Sequence, residues 1–118
     1  MKLGVISLGC PKNTVDTECM LSCLDSALLT TNPSDADVIL INTCAFLKSA
    51  RDESAGAINE MLLLKEKNPA LKIVVAGCFV SKDLKTLKEK FKGVNAWVGV
   101  NNISDIKTAI EKGGEFVN

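Results

Sequence analysis

Three short apolar runs each end in a cysteine: Gly4-Val5-Ile6-Ser7-Leu8-Gly9-Cys10, Asp37-Val38-Ile39-Leu40-Ile41-Asn42-Thr43-Cys44 and Lys72-Ile73-Val74-Val75-Ala76-Gly77-Cys78. Each run gives way to a segment with helical features. The second and third are nearly continuous in apolar residues, the pattern of strands buried on both faces of a parallel sheet. Parallel neighbours cannot be joined by tight hairpins, so such strands need crossover connections, usually helices. In an open sheet of this kind the strands end along one edge, and ligands bind in the crevice beyond it. Three thiols delivered to that edge by three separate strands are hard to explain as packing. They have the pattern of three ligands to one inorganic centre.

The rest of the chain continues the alternation. Asn13 can cap a helix, with Asp16 as its capping-box partner, that runs to Asp25. Ala27–Thr31 is a brief strand ended by Asn32-Pro33. A long helix is expected from Leu47 to Lys67, with Ala55, Ile58, Met61, Leu62 and Lys65 at helical spacing, stopped by Asn68-Pro69. Another is expected from Ser81 or Lys82, with Leu84, Leu87 and Phe91 inward, followed by a strand over Ala96–Val100. Ser104 is placed to cap a last helix that ends at Gly113-Gly114. The predicted fold is α/β: a doubly wound, flavodoxin-like or Rossmann-like parallel sheet of about five strands in the order 2-1-3-4-5. Strands 1, 3 and 4 are then neighbours. At about 4.8 Å between strands, the three thiols fall within roughly 10 Å, a span one cluster can bridge.

Composition narrows the chemistry. The chain has 118 residues, enough for one domain with a real core, and its 14 basic and 14 acidic residues balance to zero net charge. Nothing in that balance suggests a nucleic-acid footprint. Lys82, Lys85, Lys88, Lys90 and Lys92 are interleaved with Asp83 and Glu89 and read as a solvated helix face. No apolar run approaches the ~20 residues of a membrane span, and Met1–Gly9 is too short and strand-like for a secretory signal. A cytoplasmic, reducing setting is therefore expected. There, five cysteines argue for metal binding or catalysis over a disulfide framework. The absence of histidine removes that residue from every metal site and every acid–base scheme.

Thiolates hold iron–sulfur clusters, commonly four to a cluster. Three on a four-iron cluster leave one iron open, and an open coordination position marks chemistry rather than structure. Helices that follow the strands aim their N-termini at the same edge, which favours an anionic cluster. Cys19 and Cys23 lie one helical turn apart on the first helix and read as small buried hydrophobes. Rival sites on this fold fail on residues. Arg51 is too far from Cys44 for a phosphatase loop, Ser7–Asn13 lacks the glycines of a dinucleotide fingerprint, and no C-x-x-C is present. A non-enzymatic α/β binding module is the alternative of another class.

Ser7–Asn13 with Val15–Glu18, Asp35–Phe46, and Val74–Cys78 together resemble the N-terminal domain of the radical S-adenosylmethionine methylthiotransferases. The resemblance covers essentially the whole chain. It implies an auxiliary four-iron, four-sulfur (4Fe-4S) cluster held by Cys10, Cys44 and Cys78, whose open iron carries the sulfur to be transferred. Gly9–Asn13 and Cys44–Phe46 are similar to the ribosomal-protein branch, RimO, which implies methylthiolation of an aspartate β-carbon in a small-subunit ribosomal protein. The tRNA adenosine branch, typified by MiaB, is the alternative. Phe79–Asp83 departs from the usual pattern of the ribosomal-protein branch beside the third cysteine. The family's radical domain, with its C-x-x-x-C-x-x-C motif, second 4Fe-4S cluster and S-adenosylmethionine, is absent from residues 1–118, as is the family's C-terminal domain. The chain is therefore expected to be one part of a longer enzyme, partnered by that radical domain and inactive alone.

Overall fold

The computed structural model describes residues 2–8, 28–30, 32–43 and 48–117. The helix expected over Asn13–Asp25, and Cys10, Cys19, Cys23 and Cys44, lie outside the described residues. Six strands are described: β1 (Lys2–Ser7), β2 (Leu28–Thr30), β3 (Val38–Thr43), β4 (Lys72–Gly77), β5 (Ala96–Gly99) and β6 (Gly114–Phe116). They form one sheet in the order β2-β1-β3-β4-β5-β6. Every pairing is parallel. The described helices are α1 (Lys48–Lys67), α2 (Cys78–Lys90) and α3 (Ile106–Lys112).

The apolar runs behave as expected. All six residues of β3 are buried, as are all four of β5. Period-two alternation divides these strands between two cores. Ile39, Ile41, Ile73, Val75 and Trp97 face α1 and α2, where they meet Ile58, Met61, Val80 and Leu87. Val38, Leu40, Val74, Ala76 and Val98 face the other way, against Ile106, Ala109 and Ile110 of α3. Ser54 also turns inward from α1, at 0% exposure. The order 2-1-3-4-5 is thus correct, and the sheet is extended by one strand.

Four points correct the sequence reading. Gly113-Gly114 ends α3 as expected, but the chain enters β6 at once. Both glycines have positive φ (71° and 105°), and the Gly114 N–H donates to the Asn95 carbonyl at 3.0 Å. That turn sets Gly114–Phe116 beside Ala96–Val98. Three residues carry little strand signal of their own; the pairing with β5 makes the strand. Second, α2 starts at Cys78, not at Ser81 or Lys82. Cys78-Phe79-Val80 has strand-like composition, but positive φ at Gly77 (106°) ends β4 and turns the chain directly into a helix. A non-helical residue, Asp83 (φ −129°, ψ 33°), separates this first turn from the remainder of α2. Third, Ser104 does not cap α3. It lies within a 3-10 turn, Ile103–Asp105, that leads into the helix. β5 also stops at Gly99 rather than Val100.

The connection from β2 to β3 holds a 3-10 turn, Pro33–Asp35, in place of a helix. Asn32 caps it, its Oδ1 accepting from the Ser34 N–H at 3.0 Å. No helix from this connection covers the β1–β2 side, and Leu29 is 64% exposed.

Candidate metal centre

Strand register sets the level of the sheet's C-terminal edge. Ser7 pairs with Asn42, and Asn42 with Ala76. One step on, Thr43 pairs with Gly77, and Gly77 with Gly99. The Leu8 N–H donates to the Asn42 carbonyl at 3.0 Å, which continues the β1–β3 pairing past the end of β1. The described residues therefore bring the ends of β1, β3, β4 and β5 to one edge. Gly77 is followed directly by Cys78, and Thr43 by Cys44 in sequence.

Of the three cysteines predicted as ligands, Cys78 is described. It opens α2, and its free thiol is half-buried. Phe79 and Val80 anchor the turn behind it, at 9% and 0% exposure. Cys10 and Cys44 lie outside the described residues, as do the two cysteines predicted as core, Cys19 and Cys23.

Two contacts hold this edge together. The buried Thr43 hydroxyl donates to the Ala76 carbonyl at 2.7 Å, a tie between β3 and β4 beyond the backbone ladder. On the other side of Cys78, the Ser81 Oγ accepts from the Val100 N–H at 2.8 Å and binds the first turn of α2 to the end of β5. Gly77 sits where a side chain has no room. A Cβ there would lie 2.5 Å from the Thr43 carbonyl oxygen and 2.6 Å from Asn42 Oδ1. Positive φ independently favours glycine. Sequence reasoning missed Thr43, Gly77 and Ser81. For Thr43 and Gly77 the available signal was position, since each ends its strand and directly precedes a cysteine.

Cys78 supplies one half-buried sulfur donor at a strand end, of the soft type that binds iron–sulfur clusters. Among the described residues no group of three His, Cys, Asp or Glu side chains is gathered around it. No helix among the described residues is long and apolar enough to cross a membrane.

Comparison with known proteins finds relatives that match nearly the whole chain. The chain is 42% identical over 113 residues to the ribosomal protein uS12 methylthiotransferase RimO of Elusimicrobium minutum, covering 94% of this chain and 26% of that protein. It is 40% identical to the enzyme of the same name from Clostridium acetobutylicum over 112 residues, 94% of this chain and 25% of the relative. With the Dictyoglomus thermophilum protein of that name it shares 40% identity over 116 residues, 97% of this chain and 26% of the relative. The chain thus spans about a quarter of the length of these curated relatives. The resemblance to methylthiotransferases noted in the sequence is borne out. A family model described as "Uncharacterized protein family UPF0004" matches residues 2–99, and the chain belongs to that family.

Proposed function

We propose that this chain is the auxiliary-cluster, sulfur-donor domain of a radical methylthiotransferase, with Cys10, Cys44 and Cys78 as ligands of one 4Fe-4S cluster. The observation that carries the reading is the position of Cys78, a half-buried thiol at the end of β4, level with the β3 end that leads to Cys44. When bound, the cluster supplies an open iron at which sulfur is held for transfer. The work of this chain is to hold three thiolates at one edge. Phe79 and Val80 fix the Cys78 turn from within the core, and Thr43 and Ser81 fix it from its neighbours. Radical chemistry requires the domain that carries the C-x-x-x-C-x-x-C motif, so the chain alone turns over no substrate. The proposed substrate is an aspartate of a small-subunit ribosomal protein, supported by the names of the relatives and by Pro11-Lys12 and Ala45-Phe46 in sequence. The proposed location is the cytoplasm.

Anaerobic reconstitution with iron and sulfide tests the site. The expected result is about four irons per chain with visible thiolate-to-iron absorbance. Cys10→Ala, Cys44→Ala and Cys78→Ala each abolish stable binding, while Cys19→Ala and Cys23→Ala retain it. Equal retention in all five variants overturns the ligand assignment. An enzyme carrying this domain together with the radical domain, supplied with ribosomal protein and with tRNA, decides the substrate by mass spectrometry. Methylthio addition to tRNA alone would move the chain to the adenosine-modifying branch. Product formed by residues 1–118 alone would remove the need for a radical partner.

A further inference from the structure

Thr43 is the one hydroxyl residue in a β3 strand otherwise built from Val38, Ile39, Leu40, Ile41 and Asn42, and it is fully buried at the last rung. Valine has nearly the same shape and is the residue the sheet uses at Val38, Val74, Val75 and Val98. Packing alone gives no reason for a hydroxyl at this place. The hydrogen bond does: Thr43 Oγ1 reaches across to the Ala76 carbonyl at 2.7 Å. The same residue's backbone crowds Gly77, since a Cβ at Gly77 would lie 2.5 Å from the Thr43 oxygen and 3.0 Å from its nitrogen. Side chain and backbone of one residue therefore close β3 onto β4 at the point where both strands end.

We propose that Thr43 is a positioning residue: through the Ala76 carbonyl and the close approach to Gly77, it fixes the strand end that leads to Cys44 against the one that leads to Cys78. This rests on the reading that these cysteines ligate one cluster. A cluster edge tolerates little variation in sulfur separation, so a tie just behind two ligands governs how firmly both are held. Its action on the metal is indirect, like that of groups that orient metal ligands from behind, where loss typically weakens binding ~10–100-fold. Valine removes the donor and leaves the Ala76 oxygen facing a methyl group. Serine keeps the donor and gives up the methyl.

The experiment compares wild type, Thr43→Val, Thr43→Ser and Cys78→Ala, each reconstituted anaerobically with iron and sulfide. Loss of visible absorbance under an iron chelator gives the release rate. Electron paramagnetic resonance of the reduced cluster reports its ligand field, and circular dichroism of the metal-free protein reports the fold. The expected result is release at least ~10-fold faster in Thr43→Val, with an altered resonance spectrum and an unchanged metal-free fold. Thr43→Ser restores both signals towards wild type. A Thr43→Val protein with wild-type release and spectrum overturns the positioning role while leaving the cluster reading intact, as does a serine variant as defective as the valine one. If Thr43→Val does not fold, Thr43→Ala and Thr43→Ser carry the same comparison. A wild-type protein that takes up no cluster, or a Cys78→Ala protein that holds one normally, overturns the cluster reading and the role of Thr43 with it.

Discussion

Lys65 reaches from the last turns of α1 to Asn95, its ammonium donating to Asn95 Oδ1 at 2.7 Å and to the Gly93 carbonyl at 2.9 Å. Asn95 Oδ1 also accepts from the Ile73 N–H at 2.8 Å, and the Asn95 N–H donates to the Ile73 carbonyl at 2.8 Å. One asparagine thus joins a helix, β4 and the entry to β5. Asn95→Ala removes the acceptor of a part-buried backbone N–H and is expected to cost about 1–3 kcal/mol. Asn95→Asp keeps the acceptor beside a cation and should hold or raise the melting temperature. Thermal denaturation of the two variants checks both.

Partial burial holds the Lys65 ammonium below the usual lysine pKa. The folded chain therefore gives up this proton at lower pH than the unfolded chain does. From the folded pKa up to about 10.4, the unfolded state binds more protons, so the contribution of this group to stability rises with pH. Below that window it is flat. Lys65→Met removes the titration. Denaturant unfolding of wild type and Lys65→Met from about pH 8 to about 10.4 should show wild type gaining on the variant across the alkaline range.

At Gly77 two costs add. An alanine must adopt φ 106°, and its Cβ must displace the β3 backbone that lies 2.5 Å away. Gly77→Ala is expected to lose about 3 kcal/mol or more. Equilibrium unfolding measures the loss, and a value under about 1 kcal/mol would show that the strand end yields easily. At Gly56, where an added Cβ meets nothing within 4 Å, the same change should stabilise α1 by roughly 0.5–1 kcal/mol.

Ser81 makes a narrower prediction. With its Oγ removed in Ser81→Ala, the Val100 N–H loses its acceptor, at an expected cost of about 1 kcal/mol. Amide hydrogen exchange at Val100 should quicken, while exchange at Val74 and Val75 in the sheet centre stays as in wild type. Exchange at Val100 unchanged by the substitution would show that solvent already serves this amide.

The parts legible in sequence were those whose signal is local and redundant. Val38–Asn42 and Ile73–Ala76 are continuous apolar runs, and the sheet buries them as such. Ile58, Met61, Leu87 and Phe91 were placed inward by helical spacing and are buried. The parts that escaped depend on other segments. β6 exists through its pairing with β5. The start of α2 at Cys78 follows from the conformation of Gly77, against the strand-like composition of Phe79-Val80. The inward turn of Ser54 cannot be read from polarity. At the candidate site the cysteine pattern was visible because three runs repeat it, whereas the Thr43–Ala76 bond needs the register of two strands to be known.

An all-parallel sheet also has a kinetic consequence. Leu3 pairs with Leu29 on one side and Val38 on the other, so the pairings that seat the first strand wait for long stretches of chain to close. Topologies dominated by such non-local pairing fold slowly, on the order of milliseconds to seconds, and disulfide formation begins on the order of seconds. The two clocks meet in a chain with five cysteines. A reductant during synthesis or refolding therefore guards the chain's own route to the native state.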